Sequence, residues 1–290
     1  MKNKKYLLSI IILLIAILAG CGRNNSEKNV ITTTVNTYNE PVKSIVGNKY
    51  HVESIIKSVN VDPHSFSPST NNSKQIADSK LIVSNGLGYD DWVNKMVAAN
   101  SQQKNLIDFG NVLGKKNGDN EHIWFGVDHM KKLVKAVYQH MIKVDSDSKN
   151  YYYGNYTKYL KKLDQLSDRE KSLKKYSQGK VAYVTEPLPD YLLDDLGVKV
   201  ADEHFAKAIE DDTDPSIKDV NDMEQGMRDH KVDFLVVNKQ VTSSIITKMI
   251  NTAKANDIPI VYFTETLPSD LGYYDWMTDN LNQIEKVVKE

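Results

Sequence analysis

The chain has 290 residues, 40% of them hydrophobic, and its 37 lysines and arginines nearly balance its 38 acidic residues, for a net charge of −1. This balance excludes the strongly basic surface that nucleic-acid binding requires. The chain contains one cysteine, so it cannot form an internal disulfide.

The N-terminus is predicted to be a secretion signal that covers residues 1–20. Three lysines in the first five residues precede an apolar run from Tyr6 to Ala19, which is short for a membrane span. Small residues lead directly into Cys21, so we expect cleavage before Cys21 and attachment of a lipid to its side chain. A plain signal peptide followed by a chance cysteine is the alternative.

The mature chain is predicted to have a polar tether followed by two lobes. Residues 21–29 are polar and lack apolar periodicity, as in a tether between a lipid and a folded body. The remaining length of about 260 residues exceeds what one core usually supports. We expect an N-terminal α/β lobe at 30–145, a linking helix at 146–177 and a C-terminal α/β lobe at 178–290.

In the N-terminal lobe, short runs rich in valine, isoleucine and threonine alternate with amphipathic stretches. Predicted strands are Val30 to Val35, Lys80 to Ser84 and Asn105 to Phe109. Apolar residues then recur at steps of three and four from Ser146 to Tyr176, which predicts one long amphipathic helix.

The C-terminal part repeats the alternation of strands and helices. Predicted strands are Lys180 to Thr185, Asp233 to Asn238 and Pro259 to Thr264, and predicted helices are Ser216 to His230 and Ser243 to Asn256. The sequence therefore predicts an α/β fold with two α/β lobes joined by one long rigid helix.

Two histidines are candidate metal ligands, because each is expected at an element end that faces the cleft between the lobes. His64 lies between Pro63 and Pro68, which restrict the backbone around its imidazole. His122 lies where a polar turn enters the aromatic run Ile123 to Phe125. From the residues alone, an exposed loop residue is the commoner interpretation of each histidine.

These segments, together with Val184 to Pro187 and Tyr262 to Pro268, resemble the substrate-binding lipoproteins of bacterial zinc and manganese ABC importers. The resemblance covers essentially the whole mature chain. It implies two α/β lobes joined by a long helix, with a metal site in the inter-lobe cleft. It also implies high-affinity extracellular binding of one divalent metal ion, Zn²⁺ or Mn²⁺, as the transported ligand.

The resemblance implies four metal ligands: His64, His122, Glu186 and Glu265. The position of Glu186 is histidine in many zinc proteins of the family and glutamate in some manganese proteins, and aspartate is usual at the position of Glu265. Residues 98–119 lack the histidine-rich loop of many zinc-importing relatives, which favours manganese slightly. Two imidazoles and two carboxylates suit either metal, so zinc and manganese both remain open.

The resemblance further implies a monomeric, non-enzymatic protein on the extracellular face of the cell membrane, anchored through the lipid on Cys21. Its expected partners are the permease and the ATPase of an ABC importer, and no nucleic acid. One alternative is a surface adhesion or interaction lipoprotein that needs no metal. Another is a secreted metallohydrolase, although the sequence has no His-Glu-x-x-His segment.

Other polar residues near the predicted site are open to more than one interpretation. His204 is a reserve ligand because it follows a predicted strand of the second lobe, and Asp270 is an acid that competes with Glu265 for the fourth ligand position. Asp190, Asp194 and Asp195 are interpreted as a solvated helix face.

Overall fold

The computed structural model describes residues 29–59, 61, 63 and 66–289, which fold as two four-stranded sheets with helices on their faces. The predicted signal peptide, most of the predicted tether with Cys21, and the predicted ligand His64 lie outside the described residues. All the strand pairs in both sheets are parallel.

The first sheet has the spatial order β2-β1-β3-β4. Its strands β1 to β4 are Val30–Val35, His51–Ile56, Ser79–Ser84 and Leu106–Asp108. β1 lies in the interior of the sheet, where Ile31 is opposite Val52 on one side and Leu81 on the other. All six residues of β1 are β-branched, which suits a strand that is covered on both faces.

Five helices accompany the first sheet. These helices, α1 to α5, are Asn39–Val46, Thr70–Asp78, Trp92–Ala99, Phe109–Leu113 and Val127–Val144. The predicted strand Asn105 to Phe109 is shorter in the structure because Asp108 begins a helix. Its Oδ1 accepts a hydrogen bond of 2.8 Å from the backbone N–H of Asn111 and caps α4.

The long helix α6, Lys149–Ser177, has 29 residues and a length of roughly 43 Å at 1.5 Å per residue. Near its start, Asn155 Nδ2 donates a hydrogen bond of 3.0 Å to the carbonyl of Ile45 in the first lobe. Near its end, Arg169 forms an ion pair of 2.7 Å with Glu285 in the C-terminal helix. The helix therefore contacts both lobes, as predicted for a linking helix.

The second sheet has the order β6-β5-β7-β8. Its strands β5 to β8 are Val181–Val184, Lys199–Val200, Phe234–Asn238 and Ile260–Phe263. Helices α7 to α11 are Asp190–Asp195, Glu203–Glu210, Ile217–Arg228, Ser244–Ala255 and Tyr273–Lys289. Ser216 and Ser243 cap α9 and α10, so both predicted helices begin one residue later than expected.

One hydrophobic core runs through both lobes. The rings of Phe125, after the first sheet, and Phe263, on β8, stack at 5.8 Å with an interplanar angle of 9°. The Tyr273 O–H donates a hydrogen bond of 2.7 Å to the carbonyl of Trp124 in the same region. The prediction of two α/β lobes joined by a long helix is confirmed. None of the helices in the described ranges combines the length and apolar character needed to cross a bilayer.

Candidate metal site

A cavity of about 590 Å³ lies between the lobes. Its walls include Pro63 and His122 from the first lobe and Glu186, Glu210 and Glu265 from the second. Three of the four predicted ligands therefore line one cavity, and Pro63, next to the predicted ligand His64, lines it too. We refer to this cavity as the cleft.

His122 is held in the wall of the cleft with its ring orientation fixed. Its side chain is 3% exposed, and the ring packs edge-on against Trp124 at 5.3 Å. Asn120 Oδ1 lies 2.9 Å from both the backbone N and the ring Nδ1 of His122, while Asn120 Nδ2 donates 2.6 Å to the carbonyl of Pro187. Because that oxygen can only accept, Nδ1 carries the proton, and Nε2 is the ring nitrogen that can bind a metal.

Glu186 lies just beyond the carboxyl end of β5, where the neighbouring strand fixes its position. The backbone N–H of Thr185 donates 2.9 Å to the carbonyl of Val236, which continues the sheet pairing by one residue. Asn238, at the end of β7, donates its side-chain amide to Glu186 Oε2. This hydrogen bond fixes the orientation of the Glu186 carboxylate. Glu186 is 8% exposed, so it has little contact with water.

Glu265 follows β8 and is contacted from the opposite lobe. The Tyr89 O–H donates a hydrogen bond of 2.9 Å to Glu265 Oε1. Burial and the Glu265 carboxylate raise the pKa of Tyr89 well above its usual value, so the phenol remains a donor. This hydrogen bond joins the two lobes at the site.

A third acidic side chain, Glu210, enters the cleft from the last turn of α8. Its Oε1 lies 3.7 Å from His122 Nδ1, and its side chain is 9% exposed. Burial raises the pKa of Glu210, while its hydrogen bond to Lys207 opposes that shift. This residue could not be predicted from the sequence, because it begins the acidic run Glu210-Asp211-Asp212 and no pattern marks which of these residues line the cleft.

The two reserve candidates lie elsewhere. His204 is exposed and lines a different cavity, beside Asp202 and Phe205. Asp270 is exposed and is not among the residues that line the cleft.

The interpretation of the α7 aspartates as a solvated face is wrong for Asp190. This residue is half-buried, and Asn120 Nδ2 lies 3.4 Å from its Oδ2. Burial raises the pKa of Asp190 to about 7, and the contact with Asn120 only partly opposes this. Asp194 and Asp195 are exposed, as expected.

Residues 31–287 match the family described as zinc-uptake complex component A, periplasmic. The chain therefore belongs to that family of solute-binding proteins.

Individual relatives agree with this assignment. The manganese ABC transporter substrate-binding lipoprotein PsaA of Streptococcus pneumoniae is 24% identical over 97% of this chain and 98% of its own length. The high-affinity zinc uptake system protein ZnuA of Bacillus subtilis is 22% identical over 93% of each chain. The structure of the periplasmic zinc-binding protein TroA from Treponema pallidum covers 89% of this chain and 98% of its own, with a TM-score of 0.72 and 16% identity, and supports the fold.

Proposed function

We propose that this protein captures a divalent transition metal, zinc or manganese, outside the cell and delivers it to an ABC importer in the membrane. The observation that carries the proposal is the convergence of His122, Glu186 and Glu265 from both lobes on one cleft. Family membership supports the transport role, since relatives of full length are named as components of zinc and manganese transporters.

The proposed ligands are His64, His122, Glu186 and Glu265. Two neutral imidazoles and two carboxylates carry a charge of −2, which a divalent cation cancels in a partly buried site. Imidazole nitrogen suits zinc and other late first-row metals, whereas carboxylate oxygen also suits manganese. This ligand set therefore accepts both metals.

The number of proposed protein ligands favours a protein that captures a metal ion over a metal-dependent enzyme. A catalytic zinc keeps one position open for water, whereas four protein ligands fill a tetrahedral site. Because the ligands belong to both lobes, a bound cation favours the arrangement in which the lobes are close together. We propose that docking on the permease favours a more open arrangement and releases the ion, with an ATPase driving import.

The anchoring of the protein is part of the same proposal. A lipid on Cys21 holds the monomer at the extracellular face of the membrane, and residues 21–29 connect that lipid to the folded body. A protein tethered in this way stays within reach of its permease.

The proposal predicts the metal content of a soluble form that starts after Cys21 and is purified without an affinity tag. About one zinc or manganese ion per chain is expected by elemental mass spectrometry, and His122→Ala and Glu186→Gln should each lose most of it because each removes a ligand. His204→Ala is the matched control, since it removes an exposed histidine outside the cleft. Wild-type protein with no metal, and no rise in melting temperature on adding either ion, would contradict the proposal.

A further inference from the structure

Glu210 lies beside His122 in the wall of the cleft. Its Oε1 lies 3.7 Å from His122 Nδ1, and both side chains line the cleft. Because α8 belongs to the second lobe and His122 to the first, this contact crosses between the lobes.

The two oxygens of Glu210 have different surroundings. Oε2 lies 2.5 Å from Lys207 Nζ, which is bound on its other side by Asp211 at 2.7 Å. Oε1 is buried and accepts no hydrogen bond from any residue in the described part of the chain. A buried carboxylate oxygen without a donor is unfavourable, and a cation in the cleft would relieve that cost.

The spacing of the neighbouring ligand atoms suits a shared ion. Oxygens of Glu121 and Glu210 and a ring nitrogen of His122 all lie within 4.8 Å of one another. Metal–ligand bonds of about 2.0 to 2.6 Å separate the ligand atoms of one ion by roughly 3 to 5 Å. Glu210 Oε1 and the His122 ring are therefore spaced as two ligands of one ion can be, and both line the cleft.

We infer that Glu210 supplies a further carboxylate oxygen to the captured cation, an inference that rests on the proposed function. This oxygen adds to the two from Glu186 and Glu265 and makes the ligand set richer in oxygen than in nitrogen. An oxygen-rich set with more than four ligands suits manganese, whereas zinc is satisfied by a tetrahedron. Glu210 thus favours manganese over zinc.

The charges are compatible with this assignment. Three carboxylates and two neutral imidazoles carry −3, and the ion supplies +2. Lys207 adds one positive charge beside Oε2, which it shares with Asp211. The ion and Lys207 together therefore reduce the cost of the charge that Glu210 brings into the site.

The test compares Glu210→Gln with Asp211→Asn in the soluble form. Both substitutions remove one carboxylate from Lys207, but only Glu210 lines the cleft. Calorimetric titration should show Mn²⁺ affinity lowered about tenfold or more in Glu210→Gln and Zn²⁺ affinity lowered less than about threefold. Asp211→Asn should bind both metals as the wild type does.

A second readout reports coordination directly. With Co²⁺ as the probe, loss of one oxygen ligand in Glu210→Gln should shift the visible spectrum towards the stronger absorption of a tetrahedral site. An unchanged spectrum and unchanged Mn²⁺ affinity would overturn the inference, as would equal losses for both metals or an equal loss in Asp211→Asn. Wild-type protein that binds neither metal would instead contradict the proposed function itself.

Discussion

At the scale of the single residue, Asn120 connects the two lobes at the metal site. Its side-chain oxygen accepts from the backbone and ring of His122, and its amide donates to the carbonyl of Pro187, next to Glu186. One side chain therefore fixes the tautomer of one proposed ligand and the loop that carries another. Groups that orient metal ligands in this way commonly matter almost as much as the ligands.

We predict that Asn120→Ala lowers metal affinity about tenfold, because the His122 ring loses the acceptor that fixes its orientation. Titration calorimetry with Zn²⁺ and Mn²⁺ checks this. Asn155→Ala is the control, since Asn155 makes a similar side-chain hydrogen bond to the carbonyl of Ile45, far along the chain from the cleft residues. Unchanged affinity in Asn120→Ala would refute the positioning role.

The sequence identified some residues of the site and not others. His122, Glu186 and Glu265 could be predicted through the resemblance to a known family. All three line one cleft in the structure, and their role as ligands stays a prediction. Glu210 and Asn120 could not be named, because their roles depend on which side chain turns inward and on contacts between lobes that are distant in sequence. Such contacts exist only once the chain is folded.

At the scale of the element, the strands of the two sheets were predicted best where they are continuously apolar or β-branched. β1 has the predicted bounds, Val30–Val35. β2 was not predicted, because this edge strand buries only two of its residues and includes polar His51 and Glu53. β6 was also missed, since its two residues, Lys199–Val200, are too few for any periodicity.

The linking helix α6 carries a buried acid, Glu170, which is 7% exposed. Burial raises its pKa from 4.5 to about 8, with repulsion from nearby Asp195 adding to the shift. The folded state therefore binds this proton more tightly than the unfolded state does. The resulting stability is fully present below pH 4.5 and is lost as the pH rises to about 8.

We predict that Glu170→Gln raises the melting temperature at pH 8 by several degrees and leaves it nearly unchanged at pH 5. The neutral amide avoids burial of a charge at high pH, whereas at low pH the native carboxyl is already protonated. Calorimetric melting of the soluble protein without metal measures both values. The control is Asp168→Asn, an exposed acid on the same helix. Equal shifts at the two pH values would refute the account.

At the scale of the whole molecule, the two lobes are closely associated. The rings of Phe125 and Phe263 stack between the lobes. Asn36 Nδ2 also donates a hydrogen bond of 2.8 Å to the carbonyl of Leu267, and Gln240 Nε2 donates one of 2.6 Å to the carbonyl of Val59. The long helix contacts both lobes along its length. These contacts favour small adjustments at the cleft over a wide hinge motion.

The central claim is that one divalent cation binds between the lobes, and a crystal structure of the soluble form with Mn²⁺ or Zn²⁺ tests it most directly. We predict one strong anomalous peak in the cleft, about 2.0 to 2.3 Å from Nε2 of His122 and from carboxylate oxygens of Glu186 and Glu265, with His64 among the ligands. A peak outside the cleft, or none at a metal concentration that raises the melting temperature, would contradict the account.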